Sequence, residues 1–402
     1  MTARAFAALL LTAGLACPGS AQEAASSLGE AIAEGDVSGS LRYRFEVVED
    51  NAFDDAGRAS TLRTFVAYET RRLHGFAARL QFGNVVDLGA SPLHADAAAG
   101  GLGNGVTDRP VVADPELTRV NQASLSFEQG GTRIEAGRLA ITLDDERFVG
   151  PVGWRQNLQT FAAARVVNRS IRRTTLSYTF LERAYTITGA ERPMASHLAN
   201  VSVELPLGTA VAYGYLLDFD REVDAGLSTS TVGLRLSGSR RAGALTLHYQ
   251  GVFARQHDAG SNPQRVRASY YRVQAGAGTP RLTAELGYEV LTGSEEDGRF
   301  TTPLATLHAF NGWADKFLVT PPAGLGDASL TLRGVAGAFS WRAALHDFSA
   351  EDGPMDYGRE IDLLVTWKSS WGPLFGAKAA RYEADELSSD TTKLWLWSAY
   401  SF

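Results

Sequence analysis

The feature that most constrains this chain is an alternation of apolar and polar residues, which recurs in segments of about ten residues from Ser38 to the last residue. In Ser40–Val48 the apolar positions are Leu41, Tyr43, Phe45 and Val47, and the polar positions between them are Arg42, Arg44 and Glu46. Side chains of a β-strand point alternately to opposite faces, so the pattern predicts strands with one apolar face. Such strands can cross a bilayer when tilted, but a soluble sandwich shows the same alternation.

The connections between the segments distinguish the two architectures. We count eighteen candidate strands, near residues 38–48, 60–71, 75–88, 119–129, 131–139, 159–168, 173–183, 196–205, 208–219, 229–239, 242–255, 266–276, 279–291, 325–334, 337–349, 357–368, 371–384 and 391–402. Connections after even-numbered strands are short, and those after odd-numbered strands are longer and richer in Gly, Asp and Pro. Short turns at one end and long loops at the other are typical of outer-membrane barrels. We therefore predict an all-β, antiparallel, up-and-down transmembrane barrel of about eighteen strands. The register around strands five, six and fourteen is ambiguous in the sequence, so a barrel of sixteen strands is the alternative.

The first residues predict a secretory signal peptide. A positive charge at Arg4 precedes the apolar run Phe6–Ala16, which is too short to span a bilayer as a helix. Small residues end at Ala21, where we place the cleavage. Residues 1–21 are then the signal peptide, 22–37 a short periplasmic segment that includes a possible amphipathic helical turn, and 38–402 a single barrel domain.

The cysteine count and the charge limit the possible partners and cofactors. Cys17 is the one cysteine and would leave with the signal, so the mature chain has neither a disulfide scaffold nor a thiolate metal site. A lipoprotein anchored on Cys17 is the alternative, but Gly14 stands where that signal needs a bulky apolar residue. The net charge of −7 argues against nucleic acid as a partner. We predict no cofactor and no metal.

The last strand ends in an aromatic pattern. Leu394, Leu396, Tyr400 and Phe402 fall on one face, and Phe402 is the final residue. A terminal aromatic residue after an alternating strand is similar to the signal that the bacterial barrel-assembly machinery reads. Tyr400 and Phe402 are therefore the predicted assembly signal, and outer-membrane lipid and that machinery are the predicted partners.

Three stretches carry a family resemblance: Val111–Ala123, Asp144–Phe161 and Leu304–Leu318. With Ser38–Phe45 and Ser60–Leu73 they resemble the alginate export family of outer-membrane barrels, over nearly the whole mature chain. The runs Asn311–Phe317 and Gly153–Asn157 are the most specific parts. The resemblance implies an eighteen-stranded barrel with an arginine-rich lumen, in a short, general porin-like member; alginate enters only as one conceivable solute.

Charged residues within strands should face the lumen, because Arg or Lys on the lipid face costs about 2–4 kcal/mol at the bilayer midplane. The predicted selectivity residues are Arg42, Arg44, Arg63, Arg79, Arg133, Arg235, Glu285, Glu289 and Lys378. Arginine predominates in this set, and its planar guanidinium binds carboxylates with two parallel hydrogen bonds. We therefore expect a lumen that favours anionic solutes such as sugar acids. The alternative is that Arg and Glu pair across neighbouring strands and only stiffen the wall.

Two long loops are candidates for narrowing the lumen. The loop 140–158 is the constriction candidate, with Asp144, Asp145, Arg147, Trp154 and Arg155. Its alternatives are an external cap, or a calcium site formed by its three neighbouring acids. The loop 292–324 is the lid candidate, with Trp313, Asp315 and Lys316.

Motifs for catalysis are missing from the sequence. None of its seven histidines lies in a nucleophile motif, and it contains neither a metalloprotease motif nor a phosphate-binding loop. The expected function is therefore passive diffusion of small hydrophilic, anionic solutes through a Gram-negative outer membrane, without enzyme activity. Export of an acidic polysaccharide such as alginate, and a closed-lumen barrel with an adhesin or structural role, remain the alternatives. The solute and the oligomeric state stay open.

Overall fold

The computed structural model describes residues 24–89, 92–101 and 103–402, and the predicted signal peptide lies outside these residues. Eighteen long strands form one sheet. They are β1 (Asp36–Asp50), β2 (Gly57–Glu69), β3 (Phe76–Asp87), β4 (Leu117–Gln129), β5 (Thr132–Leu139), β6 (Thr160–Asn168), β7 (Thr174–Tyr185), β8 (Glu191–Leu205), β9 (Gly208–Leu217), β10 (Thr229–Ala242), β11 (Leu245–Asp258), β12 (Arg267–Gly278), β13 (Leu282–Leu291), β14 (Leu325–Ala336), β15 (Phe339–Ser349), β16 (Asp356–Lys368), β17 (Leu374–Ala384) and β18 (Thr391–Ser401).

The sheet closes on itself. Each strand pairs antiparallel with the next along the chain, and β18 pairs with β1 in a register that places Tyr400 opposite Leu41. The backbones of Gly39 and Phe402 exchange two further hydrogen bonds of 2.9 and 3.0 Å at this seam. Closure removes the exposed strand edges that an open sheet would leave. The fold confirms the predicted barrel of eighteen strands, and the alternative of sixteen is wrong.

The two ends of the barrel differ as the loop lengths predict. At one end, short turns such as Gly130–Gly131 and Pro206–Leu207 join the strands. At the other end lie the loops L1 (51–56), L2 (88–116), L3 (140–159), L4 (186–190), L5 (218–228), L6 (259–266), L7 (292–324), L8 (350–355) and L9 (385–390). L7 contains a two-residue ladder of Gly293–Ser294 with Gly298–Arg299, and 3-10 turns lie at Glu222–Leu227 in L5 and Leu307–Ala309 in L7.

The outer wall carries apolar side chains around the barrel. Val66, Leu234, Leu286 and Leu363 are 45 to 65% exposed although they lie in the middle of strands. Aromatic residues gather on this surface at the short-turn end, in the pairs Phe76–Phe127, Phe339–Trp367, Trp367–Phe375 and Tyr400–Phe402. An apolar band bordered by an aromatic girdle is the surface that a barrel presents to lipid.

A single short α-helix, α1 (Leu28–Ala33), precedes β1 in the described part of the chain. The Ser27 hydroxyl accepts a hydrogen bond from the Glu30 backbone N–H and thereby caps the first turn. The helix lies within the predicted periplasmic segment. Among the described residues, no helix is long and apolar enough to cross a membrane.

Candidate functional site: a lumen shared by packed loops and an arginine-lined wall

L3 and L7 fold back into the barrel and pack against its inner face. The loop residues Ile141, Val149 and Leu304 are fully buried, in one apolar cluster with wall residues such as Tyr270 and Trp395. Phe148 of L3 lies against the rings of Tyr213, Tyr215, Tyr270 and Phe300. The loops therefore form a fixed filling of part of the lumen rather than a mobile external cap.

Two arginines of β1 bind the backbone of L3. The Arg42 guanidinium donates to the Gln156 side-chain carbonyl at 2.8 Å, to Gly153 O at 3.1 Å and to Trp154 O at 2.9 Å. Arg44 also donates to Trp154 O, at 2.7 Å, and forms an ion pair with Asp114 of L2. Because hydrogen bonds to a charged donor are stronger than neutral ones, this array fixes the tip of L3 against the wall.

Asp315 joins L7 to L3 and to β18. Its carboxylate accepts hydrogen bonds from His308 at 2.6 Å, from Arg155 of L3 at 2.8 Å and from Lys393 of β18 at 2.8 Å. Burial raises the pKa of the Asp315 carboxyl, but the hydrogen bond from His308 and attraction to Lys393 and Arg155 outweigh it and hold that pKa well below its usual value. Asp315 is therefore ionised at neutral pH and acts as the electrostatic anchor of L7.

Trp154, at the tip of L3, packs against a histidine and a lysine. Its ring stacks on the His308 imidazole at 5.2 Å between centroids, and the Lys378 ammonium lies 4.1 Å above it. Lys378 also lies 3.7 Å from the Trp313 ring and 2.6 Å from His308 Nε2. Burial lowers the pKa of His308 well below its usual value, so its neutral imidazole donates from Nδ1 to Asp315 and accepts at Nε2.

The charged residues at the base of L3 separate toward different partners. Arg147 donates to Glu289 at 2.6 Å and to Asn311 of L7 at 2.9 Å. The three neighbouring acids diverge: Asp144 lies 3.7 Å from Arg235, Asp145 lies 3.2 Å from Arg272, and Glu146 accepts from Thr306 at 2.6 Å. This divergence argues against the calcium alternative. In the part of the chain that the structure describes, no group of three His, Cys, Asp or Glu is arranged to hold a metal ion.

The structure places the nine predicted selectivity residues in two environments. Arg42, Arg44, Arg63, Glu289 and Lys378 point inward but are at most 6% exposed, because L3 and L7 or neighbouring wall side chains cover them. The others remain partly exposed and pair with a carboxylate: Arg79 with Glu69, Arg133 with Glu135, Arg235 with Asp144 and Asp145, and Glu285 with Arg333. Of the lid candidates, Trp313 and Asp315 are buried in this loop filling, and Lys316 binds Asp50 at 2.7 Å.

The loops fill the lumen unevenly, and on β7–β13 they cover mainly the inward residues near the long-loop end, such as Tyr215, Ala254 and Tyr270. Nearly all inward side chains of β1, β2 and β16–β18 are buried, whereas many of those between β4 and β15 stay partly exposed. The partly exposed inward cations of these strands include Arg119, Arg133, Arg165, Arg235, Arg272, Arg333 and Arg342, and the acids of the same inner wall include Glu128, Glu135 and Glu285. The aqueous surface of the lumen is therefore eccentric and rich in arginine.

Five of these arginines are absent from the set predicted from the sequence: Arg119, Arg165, Arg272, Arg333 and Arg342. Arg119, Arg165 and Arg342 form no ion pair with a carboxylate of the described residues; Arg119 donates to Thr186 O at 3.0 Å, and Arg342 lies 5.3 Å from the Trp313 ring centroid. The alternation with outward Ala164 and Val166 could have identified Arg165. Bulges at Gln81/Phe82 and Ala162/Ala163 interrupt the alternation near Arg119 and Arg165 and obscure that signal.

Comparison with solved structures finds similar barrels in two bacteria. OccK9 (OpdG) of Pseudomonas aeruginosa is 13% identical with a TM-score of 0.73, and the match covers 92% of this chain and 99% of that one. OpdK of the same organism, solved with vanillate, is 12% identical with a TM-score of 0.70 over 91% and 98% of the two chains. OccAB4 of Acinetobacter baumannii is 12% identical with a TM-score of 0.71 over 92% and 98%.

Neither a protein-family model nor a curated protein matches the sequence. The resemblance to the alginate export family therefore gains no support, and only its coarser implication, a barrel of the porin-like kind, agrees with the structural neighbours. At this low identity the likeness shows the fold alone. That fold is a closed, antiparallel barrel of eighteen strands with almost no helix.

Proposed function

We propose that this protein is a channel of the Gram-negative outer membrane for passive diffusion of small anionic hydrophilic solutes such as sugar acids. The observation that carries the proposal is the partly exposed arginine surface of β4–β15, on which Arg119, Arg165 and Arg342 form no direct ion pair within the described chain, although Glu135 lies opposite Arg165. A guanidinium that faces water without a partner can receive a carboxylate with two parallel hydrogen bonds. It also raises the local concentration of anions.

Further features support the proposed location and the proposed lack of enzyme activity. The apolar outer wall needs a bilayer, and the long loops and short turns have the asymmetry of outer-membrane barrels. A structural neighbour, OpdK, is described as an outer membrane protein of Pseudomonas aeruginosa, and it was also solved with vanillate, an aromatic carboxylate. Charged groups of the described loops, such as His308 and Asp315, bind one another, which supports a structural role for them rather than a catalytic one.

The loop filling favours small solutes over a polymer. L3 and L7 are held by buried ion pairs at Asp315 and Arg147, so a polysaccharide chain would have to displace both loops or pass beside them. Export of an acidic polysaccharide such as alginate therefore stays the second candidate, supported by the resemblance of Asp144–Phe161 and Leu304–Leu318. A closed barrel with an adhesin role has no specific support, since much of the inward surface of β4–β15 is partly exposed and charged.

Osmotic swelling of liposomes that contain the refolded protein tests the proposal. We expect swelling in galacturonate to be faster than in galactose, which is similar in size and uncharged. Equal swelling rates in the two sugars would contradict the anion preference and would indicate a channel without charge selectivity. No swelling with either sugar, from barrels that show the heat-dependent gel shift of a folded protein, would overturn the channel proposal and favour a closed lumen.

A further inference from the structure

The short helix α1 has a face without a partner. Leu28 and Ile32 lie four residues apart, on one side of the helix, and are 66% and 55% exposed. On the other side, Glu30 and Glu34 form ion pairs with Arg71 in the turn after β2. The helix is thus amphipathic, and Leu28 and Ile32 are not among the side chains that attach it to the barrel.

The position of α1 is fixed on the outer surface of the wall. Tyr68 lies on the outward face of β2, opposite Val37, and its hydroxyl donates to the Ile32 backbone carbonyl. The Tyr68 ring also covers Gly35, where a Cβ atom would collide with it. Two backbone bonds, from Ala25 to Arg72 O and from Arg71 to Ala31 O, complete the attachment. The helix therefore does not enter the lumen; it lies against the lipid-facing side of the barrel.

The level of α1 along the barrel is the level of the aromatic girdle. Tyr400 and Phe402 lie on one side of it, on the strand that pairs with β1, and Phe76 and Phe127 lie on the other side, on β3 and β4. Aromatic girdles mark the boundary between the headgroups and the acyl chains. The exposed Leu28 and Ile32 continue the apolar surface of the wall at this boundary.

We propose that α1 is an interfacial anchor whose Leu28 and Ile32 insert into the lipid leaflet at the short-turn end of the barrel, the periplasmic leaflet. The occupant of this face is bilayer lipid, because the face is continuous with the wall and its charges point away from it toward Arg71. This inference rests on the membrane location in the proposed function. It adds a lipid contact outside the barrel and assigns the segment before β1 a role in fixing the periplasmic rim.

Nitroxide spin labels test this contact. Single cysteines replace Leu28, Ile32, Ala33 or Leu286 in a Cys17→Ser chain reconstituted in phosphatidylglycerol/phosphatidylethanolamine vesicles, and labels are tested for collision with oxygen and with a water-soluble nickel chelate. Leu286, 65% exposed in the middle of β13, is the reference for the lipid-facing wall. Ala33 is an exposed position on another side of α1 and is the matched control. We expect the ratio of oxygen to nickel accessibility at 28 and 32 to be several-fold higher than at 33 and to approach that at 286.

The outcomes separate this proposal from the proposed function. The label at 286 could report lipid while the labels at 28 and 32 give the same accessibility ratio as the label at 33. The apolar face of the helix would then contact water, and the anchor proposal would be overturned while the membrane location would stand. Labels at 28 and 32 that are shielded from both reagents would mean a protein partner and would also overturn it. If the label at 286 itself reports water, the membrane location fails and the anchor fails with it. A heat-dependent gel shift establishes that each variant is folded.

Discussion

At the scale of single residues, the inward arginines differ in what surrounds each guanidinium. Arg42 and Arg44 are buried against the backbone of L3, and Arg44 also pairs with Asp114, so they hold a loop and cannot meet a solute. Arg165 and Arg342 are partly exposed and form no direct ion pair within the described chain. The alternation of strand residues predicts that all of them point inward, but it cannot show which ones a loop covers.

Removing the two unpaired arginines should weaken the anion preference. We expect Arg165→Gln with Arg342→Gln to lower the galacturonate swelling rate several-fold and to leave the galactose rate nearly unchanged, because charge is removed with little change in volume. The matched control is Arg359→Gln with Arg381→Gln, the same charge change at exposed positions on the outer wall. Equal effects from the two pairs would contradict a specific role for the lumen arginines.

Asp315→Asn should release L7. The change leaves Arg155 and Lys393 without their shared carboxylate, and breaking a buried ion pair typically costs about 3–5 kcal/mol. We expect new trypsin cleavage after Lys316 and larger fluctuations of the single-channel current. Lys368→Gln, at the exposed periplasmic end of β16, should show neither effect. If the variant resists trypsin as well as the wild type does, Asp315 is not needed to hold L7 in place.

The lowered pKa of Asp315 sets the pH dependence of the same anchor. A carboxyl whose pKa is lower in the folded state stabilises the fold fully above its ordinary pKa, and this contribution is lost only as the pH falls through the lowered value. We therefore expect a constant single-channel current noise from pH 7 down to about pH 4, with L7 loosening only at more acidic pH. Loosening between pH 5 and 7 would assign the anchor to another group.

At the scale of elements, the strands are predictable from sequence and the loop contacts are not. Alternation is a local signal, and it therefore predicts each of the eighteen strands. The largest difference between a predicted and an observed strand boundary is at β8, which begins at Glu191 rather than near 196. Pro193 and the irregularity between Leu181 and Arg183 interrupt the alternation there. The bonds from Arg42 to L3 join residues more than a hundred positions apart, and no local pattern indicates them.

The closing seam between β1 and β18 yields a prediction about assembly. Phe402 covers Gly39, where a Cβ atom would lie 2.4 Å from its ring, and its backbone bonds to that glycine. We expect deletion of Phe402 to lower the amount of folded barrel in cells several-fold. Tyr400→Phe keeps the aromatic surface and should assemble normally. The readout is the heat-dependent gel shift of membrane fractions, and normal assembly of the deletion would refute the predicted signal.

At the scale of the whole molecule, the loops fill the lumen unevenly. Along β1, β2 and β16–β18 the loops L3 and L7 cover nearly the whole inner face, whereas on β4–β15 they leave arginines partly exposed, mainly below the loop filling. Sequence composition, with a net charge of −7, gives no sign of this uneven filling, because acidic residues outside the lumen dominate the sum. The position of the proposed solute path can be inferred only from the structure, which places the loops inside the barrel.

The reversal potential of single channels in a planar bilayer under a salt gradient is the most direct test of an anion path. The arginine surface of β4–β15 predicts steady conductance with a reversal potential that favours chloride over potassium. A reversal potential that favours potassium would contradict the anion preference but would still be consistent with a channel. If the folded barrel shows no conductance, the proposal that its lumen is open to solutes is contradicted.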